Sequence, residues 1–324
     1  MPLPTEKQKP IVDPGRLIVT IHGISGIGKS TFCSRAEDVI FLAFEPGLNA
    51  IEAYKYEPEP GRYLIESWEE AWKAYTELRE DNSRRFKTVC IDTGNAAFKA
   101  CQSYICRRNG VQHETDIPGT AKGYTLINNE FARLIKAFTG LQMGLYIACH
   151  TREVVVKTKT QEWAKMVPDF PDKARAMLVS LSDFVLFCDI DEIEIEGSEG
   201  KKKSQRILHS RPTALYEAKY RFKPLNDPIP LSYAKFIEEF KAANTGGISG
   251  AQAPAAKAET KPEGKAEIKP EPKVEAKVET KVEAKGEPKG EPSKELPKQG
   301  SQMATQPDTS KDKTQENAAP QAKK

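Results

Sequence analysis

Near the amino terminus lies a short run whose residue types and spacing suit phosphate binding. The run GISGIGKS, residues 23–30, fits the pattern G-x-x-x-x-G-K-[ST] of phosphate-binding loops (P-loops). Glycines let the backbone N–H groups turn inward, and a helix that starts after the loop adds partial positive charge. We therefore expect Lys29 to reach the β- and γ-phosphates of ATP and Ser30 to offer its hydroxyl to Mg²⁺. The residues expected to contact the nucleotide are Gly23, Ile24, Ser25, Gly26, Ile27, Gly28, Lys29, Ser30 and Thr31.

Two acidic residues follow apolar runs that are typical of buried strands. Asp92 comes directly after the run 88–91 and fits the Walker B pattern, in which a carboxylate at a strand end helps to hold Mg²⁺. Because Thr93 and not a glutamate follows Asp92, the group that activates water is expected elsewhere, and Glu45 is the candidate general base. Plainer alternatives remain: Asp92 could cap the next helix, and Glu45 could be a loop acid with no chemical role.

A histidine ends a third apolar run. The sequence GLYIACH closes on His150, and a polar side chain at such a strand end could contact the γ-phosphate and respond to its loss. The alternative is a histidine whose hydrogen bonds are satisfied by backbone at the strand end. A chance match on a glycine-rich turn is the corresponding alternative for the P-loop itself.

These residues need a scaffold that brings strand ends together, and the apolar periodicity predicts one. Short apolar runs typical of buried strands occur at 17–21, 39–44, 62–65, 88–91, 145–149 and 184–188. Helical patterns lie between them, one of which begins with the capping-box pair Ser67 and Glu70. After Asp189 the pattern alternates with period two on both sides of a turn, which indicates an antiparallel hairpin. The predicted fold class is α/β: a P-loop NTPase with a mostly parallel sheet flanked by helices and an antiparallel edge hairpin.

Composition divides the chain into three parts. Residues 1–15 are polar and predicted to be a flexible segment, residues 16–243 form the ATPase domain, and a helical pattern at 232–243 closes that domain. Residues 244–324 lack aromatic side chains, and a K-x-E-x repeat runs through 257–291. On a helix this repeat would stack like charges four residues apart, so we predict a disordered tail, either a tether or a solvating segment.

Charge, cysteine content and hydropathy argue against a strongly basic nucleic-acid binder, a disulfide-linked or CxxC metal-binding protein and a membrane protein, although the low net charge does not exclude DNA binding. The net charge is only +3, so the sequence has no strong polybasic field. Its six cysteines show no CxxC spacing and are expected to be reduced and buried. We find no apolar signal region and no run of about 18 apolar residues, so we expect no membrane contact and a cytoplasmic location.

The order of these motifs resembles that of RecA-like core ATPases. More narrowly, the chain resembles the phage nucleotide-binding proteins of the AAA type that are associated with single-strand annealing recombinases. The stretches that carry the resemblance are GISGIGKSTF, IFLAFEPGLNAI, KTVCIDT, GLYIACHTRE and YEAKYR, which together span about residues 16–223.

The resemblance implies an oligomeric ATPase that loads on single-stranded DNA in the cytoplasm of a bacterial host and promotes recombination or annealing. In such assemblies a lysine and an arginine two residues apart reach the neighbouring subunit's γ-phosphate, and EAKYRF supplies Lys219 and Arg221 at that spacing. The chain then continues FKPLNDPIP, a departure from the family's small turn. Two solvated charges on an edge strand are the alternative. A single-strand-binding protein is the partner considered for the tail.

DNA contact is predicted for the segment 151–175, which follows His150. Its cations Arg152, Lys157, Lys159 and Lys165 could contact phosphates, and Trp163 and Phe170 could stack on bases. A lid packed on its own domain would have the same composition.

Two other functions stay open. The first is a P-loop kinase of small phosphate acceptors, which would need an arginine-rich lid; Arg107 and Arg108 are the only closely spaced arginines that could form it before the hairpin. The second is a nucleotide-dependent binding module that recruits a partner through its tail.

Overall fold

The apolar runs form strands and the segments between them form helices in the computed structural model of the chain. The structure describes residues 12–119, 121–194 and 202–245, all of which belong to the first of two units, Met1–Pro254 and Ala255–Lys324. Its strands are β1 (Ile18–Gly23), β2 (Val39–Ala43), β3 (Tyr54–Lys55), β4 (Thr88–Asp92), β5 (Gly144–Cys149), β6 (Thr151–Lys157), β7 (Glu162–Pro168), β8 (Phe184–Glu194), β9 (Lys202–His209), β10 (Lys219–Tyr220) and β11 (Ile229–Pro230). Its helices are α1 (Lys29–Cys33), α2 (Trp68–Glu80), α3 (Gly94–Arg108), α4 (Lys122–Thr139), α5 (Asp172–Leu181) and α6 (Tyr233–Thr245).

The main sheet has the strand order β11-β9-β8-β1-β5-β4-β2-β3 within the described residues, and β10 pairs with β8. The central strands β8, β1, β5, β4 and β2 run parallel. β2, β4 and β5 are buried along their whole length, which explains why their sequences are continuous apolar runs. The predicted α/β class with a mostly parallel sheet is confirmed.

Helices cover both faces of the sheet and divide the core into two layers. On one face, α1 and α6 contribute Phe32 and Phe236 to a layer that also contains Leu208 of the edge hairpin. On the other face, α2 to α5 pack a larger layer around Trp68 and Phe131. The sheet therefore presents its strand ends, and not its faces, to solvent and ligands.

Local signals fix several element boundaries. The Ser67 hydroxyl accepts a hydrogen bond from the Glu70 N–H at 3.2 Å, and the Glu70 carboxylate accepts one from the Ser67 N–H at 3.3 Å, so the predicted capping box begins α2. The edge hairpin is also confirmed: β8 and β9 pair antiparallel, with Cys188 opposite Leu208. A helix closes the described part at Tyr233–Thr245, close to its predicted limits.

Two segments differ from their predictions. The predicted strand at 62–65 forms only isolated bridges, Leu64 with Ala43 and Arg62 with Glu59, and the Arg62 guanidinium folds back to the Leu64 carbonyl and to Glu70. The neighbouring position beside β2 is taken by β3 instead. The predicted DNA-binding loop after His150 is a hairpin, in which β6 and β7 pair antiparallel over their full length.

The predicted flexible segment 1–15 lies outside the described residues up to residue 11, and Asp13 caps a short 3-10 turn over Pro14–Arg16. Of the predicted disordered tail, residues 246–324 lie outside the described part, so the domain limits stay predictions. Within the described residues, no helix combines the length and the hydropathy that a membrane span requires.

Candidate nucleotide-binding site

Parallel pairing brings the predicted site residues to one edge of the sheet. Asp92 at the end of β4 stands between Ala43 of β2 and Ala148 of β5, and His22 of β1 stands opposite Cys149. The residues that follow these strand ends are the P-loop, Glu45 and His150. Ligands of open α/β sheets bind at this carboxyl edge.

The P-loop connects β1 to α1 through glycines that the geometry requires. Gly28 has a φ of +114°, a conformation that side chains with a Cβ rarely adopt. A Cβ at Gly23 would lie 2.8 Å from the Cys188 carbonyl oxygen of β8, so this position has no room for a side chain. The loop therefore runs tightly past the sheet edge before α1 begins at Lys29.

Lys29 is held at the loop by its own backbone. Its Nζ donates hydrogen bonds to the carbonyl oxygens of Gly23 at 2.9 Å and Ile24 at 2.8 Å, and the residue is only 6% exposed. Burial lowers the pKa of Lys29 from its ordinary value. The loop thus concentrates a partly desolvated cation at the place where a phosphate group would bind.

Ser30 and Asp92 lie close enough to act on one cation. Asp92 is buried, and burial raises the pKa of its carboxyl; a hydrogen bond with Ser30 and the charge of Lys29 act in the opposite direction. A hydroxyl and a carboxylate suit Mg²⁺, which keeps its remaining ligands as water and phosphate. The described residues contain no group of three His, Cys, Asp or Glu side chains that could hold a metal alone, so any Mg²⁺ here would need the nucleotide as a ligand.

Glu45 and His150 come together close enough to Asp92 for their charges to affect its carboxyl. The His150 Nε2 lies 3.4 Å from a Glu45 carboxylate oxygen, and both side chains are partly exposed. Asn95 fixes the histidine backbone, since its Oδ1 accepts a hydrogen bond from the His150 N–H at 2.8 Å. An acid with an adjacent histidine at this edge has the chemical means to orient or deprotonate water.

Sequence reasoning missed Asn95 and His22. Asn95 lies in the first turn of α3, directly after the strand end at Asp92. His22 is fully buried beneath the loop, its Nε2 lies 2.7 Å from the Glu217 carbonyl and its Nδ1 lies 3.1 Å from the Thr151 hydroxyl. Burial lowers the pKa of His22 to about 4. A polar residue at the end of the run RLIVTIH was the available signal.

Lys219 and Arg221 do not join the site of their own chain. Lys219 pairs with Val185 at the start of β8, which is the amino-terminal edge of the sheet, opposite the P-loop. Its Nζ donates to the carbonyl oxygen of Ser182 at 2.9 Å, and Arg221 pairs with Asp183 at 2.9 Å. The predicted role in a neighbouring subunit remains a prediction.

The β6–β7 hairpin keeps only part of the predicted DNA-contacting set. The prediction for Phe170 is wrong, because this ring is 1% exposed and packs in the core against Phe131. Arg152 lies 3.4 Å from Asp172 and Lys157 lies 3.0 Å from Glu162, so both cations already have acidic partners. Among the residues that the structure describes, Lys159 and Lys165 of the hairpin have no ion-pair partner, and the partly exposed Trp163 lies on the same hairpin.

Comparison with known proteins agrees with this architecture. The sequence model of a protein family described as AAA domain matches residues 16–222. The chain is similar to the SPbeta prophage-derived uncharacterized protein YorG of Bacillus subtilis (strain 168), with 22% identity over 225 residues that cover 68% of this chain and 64% of that protein. It thus spans just under two thirds of that relative's length.

Among solved structures, the chain is similar to the flagellar accessory protein FlaH from Methanocaldococcus jannaschii. The two share 10% sequence identity with a TM-score of 0.31, over 60% of this chain and 78% of that chain. This likeness is too distant to carry an argument about function.

Proposed function

The chain belongs to the AAA domain family, and from that premise we propose that it is an ATPase that binds and hydrolyses Mg²⁺·ATP at its P-loop. One observation carries the proposal. A desolvated lysine, a hydroxyl–carboxylate pair and an acid–histidine pair meet at the carboxyl edge of a parallel sheet. These are the groups that phosphoryl transfer to water requires.

Each side chain has a proposed role that follows from its surroundings. Lys29 would neutralise charge on the phosphates, and the loop N–H groups would donate to their oxygens. Ser30 and Asp92 would hold Mg²⁺, whose chemistry is to neutralise the transferring phosphoryl group. Glu45 would orient the attacking water as general base, while His150, held by Asn95, would contact the γ-phosphate side.

The finer part of the proposal concerns the purpose of turnover. We infer that ATP hydrolysis serves phage DNA recombination or single-strand annealing in the cytoplasm of a bacterial host, in a homo-oligomer stimulated by single-stranded DNA. The similarity to a protein named as prophage-derived supports a phage setting. Lys159, Lys165 and Trp163 on the β6–β7 hairpin, directly after His150, are the proposed DNA contacts, and a single-strand-binding protein is the partner proposed for the tail.

The experiment measures ATP turnover with and without single-stranded DNA at low salt, together with particle mass by light scattering in ATP. We expect turnover to need Mg²⁺, to rise with DNA, and to disappear in Lys29→Ala. Lys99→Ala, which removes an exposed lysine from α3, is the matched control and should behave as wild type. Wild-type nucleotide affinity and turnover in Lys29→Ala would refute the ATPase proposal.

The effect of single-stranded DNA on turnover tests the recombination role separately. If turnover is Mg²⁺-dependent but indifferent to single-stranded DNA, the recombination role fails and the ATPase proposal stands. A double variant, Lys159→Glu with Lys165→Glu, should lose DNA stimulation while basal turnover is unchanged, because both side chains lie on the hairpin and outside the phosphate site.

A further inference from the structure

The edge hairpin extends past the end of the central strand. Gly23, the last residue of β1, pairs with Cys188 of β8, and Cys188 pairs with Leu208 of β9. β8 nevertheless continues to Glu194. The hairpin therefore stands beside the P-loop as a wall beyond the carboxyl edge of the sheet.

The pleat determines which side chains this wall turns toward the loop. Cys188 and Leu208 both pack in the core layer that contains α1. Because side chains two residues apart share a face, Ile190 and Arg206, which pair across the hairpin, project on the same face but beyond the edge. Ile190 is 48% exposed, and Arg206 is also exposed.

Arg206 reaches the phosphate loop itself. Its Nη1 lies 3.4 Å from the position that a Cβ would occupy on Gly28, the residue before α1. The Leu231 side chain lies 3.6 Å from the same position, and its N–H donates to the Arg206 carbonyl at 2.9 Å, which fixes the strand there. Within the described residues the Arg206 guanidinium has no hydrogen-bond or ion-pair partner, whereas Arg221 and Arg62 are paired with carboxylates.

We propose that Arg206 binds phosphate oxygens of the nucleotide held by the P-loop of the same chain, with Ile190 as the apolar neighbour of the nucleoside. This inference rests on the proposed nucleotide binding. A planar guanidinium suits phosphate oxygens, and a cation with no internal partner loses no existing pair when it binds them.

The side from which Arg206 approaches decides which phosphates it contacts. β5, β4 and β2, which carry His150, Asp92 and Glu45 at their ends, lie on one side of β1, and β8 and β9 lie on the other. Arg206 thus comes from the side away from the groups proposed to handle the γ-phosphate. It binds the phosphates that ADP and ATP share, and it serves affinity more than the chemical step.

The test is a fluorescence titration of the full chain with labelled Mg²⁺·ADP. Arg206→Ala should raise the Kd about tenfold, which is the effect of losing one charge-assisted contact to phosphate, and Arg206→Lys should restore part of the affinity. Arg206→Gln, which keeps the stem, should match the alanine variant. Lys203→Ala is the control, because Lys203 lies on the same strand but on its opposite face.

Two outcomes separate this inference from the proposed function. If Lys29→Ala abolishes ADP binding while the alanine and glutamine variants of Arg206 bind as wild type, the inference is wrong and the nucleotide site stands. If Lys29→Ala also binds as wild type, the proposed function itself fails. A lower kcat with an unchanged Kd for ADP would likewise overturn the role given to Arg206.

Discussion

At the scale of single residues, burial of charge accounts for the most informative features of the site. Burial raises the pKa of Asp92, so an ionised carboxylate at this position lowers the free energy of unfolding. Such a group suits a site that receives a cation, because a bound Mg²⁺ would offset the unfavourable burial of the carboxylate charge. Function and stability therefore oppose each other at this carboxylate.

Asp92→Asn should accordingly make the nucleotide-free protein more stable at neutral pH while it abolishes Mg²⁺-dependent turnover. A carboxyl with a raised folded pKa stabilises the fold only when protonated, so its ionisation at neutral pH is unfavourable. The gain in stability from Asp92→Asn should shrink as pH falls through the folded pKa toward the ordinary aspartate value of 3.8. Melting temperatures of wild type and Asp92→Asn at pH 7 and pH 4 measure this gain in stability. For a domain of this length, ~1 kcal/mol corresponds to a shift of roughly 2–4 °C in the melting temperature. Asp116→Asn, at an exposed aspartate, should leave the melting temperature unchanged at both pH values.

His22 should make the fold sensitive to acid in the opposite direction. Its folded pKa of about 4 lies below the ordinary 6.5, so its contribution to stability is complete above pH 6.5 and is lost as pH falls through 4. The difference between the two pKa values corresponds to a loss of about 3 kcal/mol in the free energy of unfolding. Urea unfolding at several pH values should show this slope in wild type and a shallower one in His22→Gln. Parallel slopes would show that His22 does not carry the effect.

Glu45 is the residue whose proposed role is most directly separable from binding. Glu45→Gln should lower kcat at least a hundredfold or so, as loss of a general base does, while the Kd for Mg²⁺·ATP changes little. Glu52→Gln, at an exposed glutamate of the following segment, is the matched control. Equal turnover in wild type and Glu45→Gln would remove Glu45 from the mechanism.

The limits of sequence reasoning are visible at the same residues. Lys29, Asp92, Glu45 and His150 could be grouped in advance, because the ends of parallel strands meet at one edge. Phe170 and Arg206 could not be assigned, because an aromatic ring in a basic segment and an arginine in a hairpin have the same sequence appearance whether buried, solvated or beside a ligand. Only the folded structure shows which of these three surroundings each side chain has.

At the scale of elements, close approach between β1 and β8 explains why the P-loop starts where it does. A Cβ on Gly23 would lie 2.8 Å from the Cys188 carbonyl oxygen and 2.9 Å from its Cβ, and the sheet backbone cannot move without disturbing both strands. Gly47, in the segment after Glu45, has no atom within 4 Å of a Cβ and no unusual φ.

Gly23→Ala should therefore destabilise the fold by about 1–3 kcal/mol through overpacking, whereas Gly47→Ala should be neutral or slightly stabilising. Chemical denaturation of both variants measures the difference. If the two alanines proved equally harmless, β1 and β8 would not approach as closely as the pairing of Gly23 with Cys188 requires.

Elements also differ in how well their sequences predict them. Buried parallel strands were predictable because a short, continuous apolar run is typical of a strand that is covered on both faces. The β6–β7 hairpin was missed as a secondary structure because its cations and aromatic residues were interpreted as DNA contacts and its period-two alternation was not considered. The alternation of exposed and half-buried residues along Thr151–Lys157 was the overlooked signal.

At the scale of the whole molecule, the position of Lys219 and Arg221 limits the kind of assembly in which they could contact a bound phosphate group. Both side chains lie at the amino-terminal edge of the sheet, where they bind the end of α5 and the segment after it, while the P-loop lies at the other edge. They cannot reach the phosphates of their own chain. If they serve catalysis, they do so in a head-to-tail oligomer that joins opposite edges of successive subunits.

Mixing two inactive variants tests that arrangement. Arg221→Ala subunits keep an intact P-loop, and Lys29→Ala subunits keep Arg221, so activity should return wherever the first faces the second. Random mixing of equal amounts makes about one quarter of the interfaces competent, and turnover should recover to that share of wild type. Arg16→Ala, which removes an exposed arginine at the same edge that pairs with Asp13 in its own turn, should be active without mixing. A mixture no more active than its components would mean that Arg221 only braces Asp183 in its own chain, because complementation needs a residue that acts across the boundary.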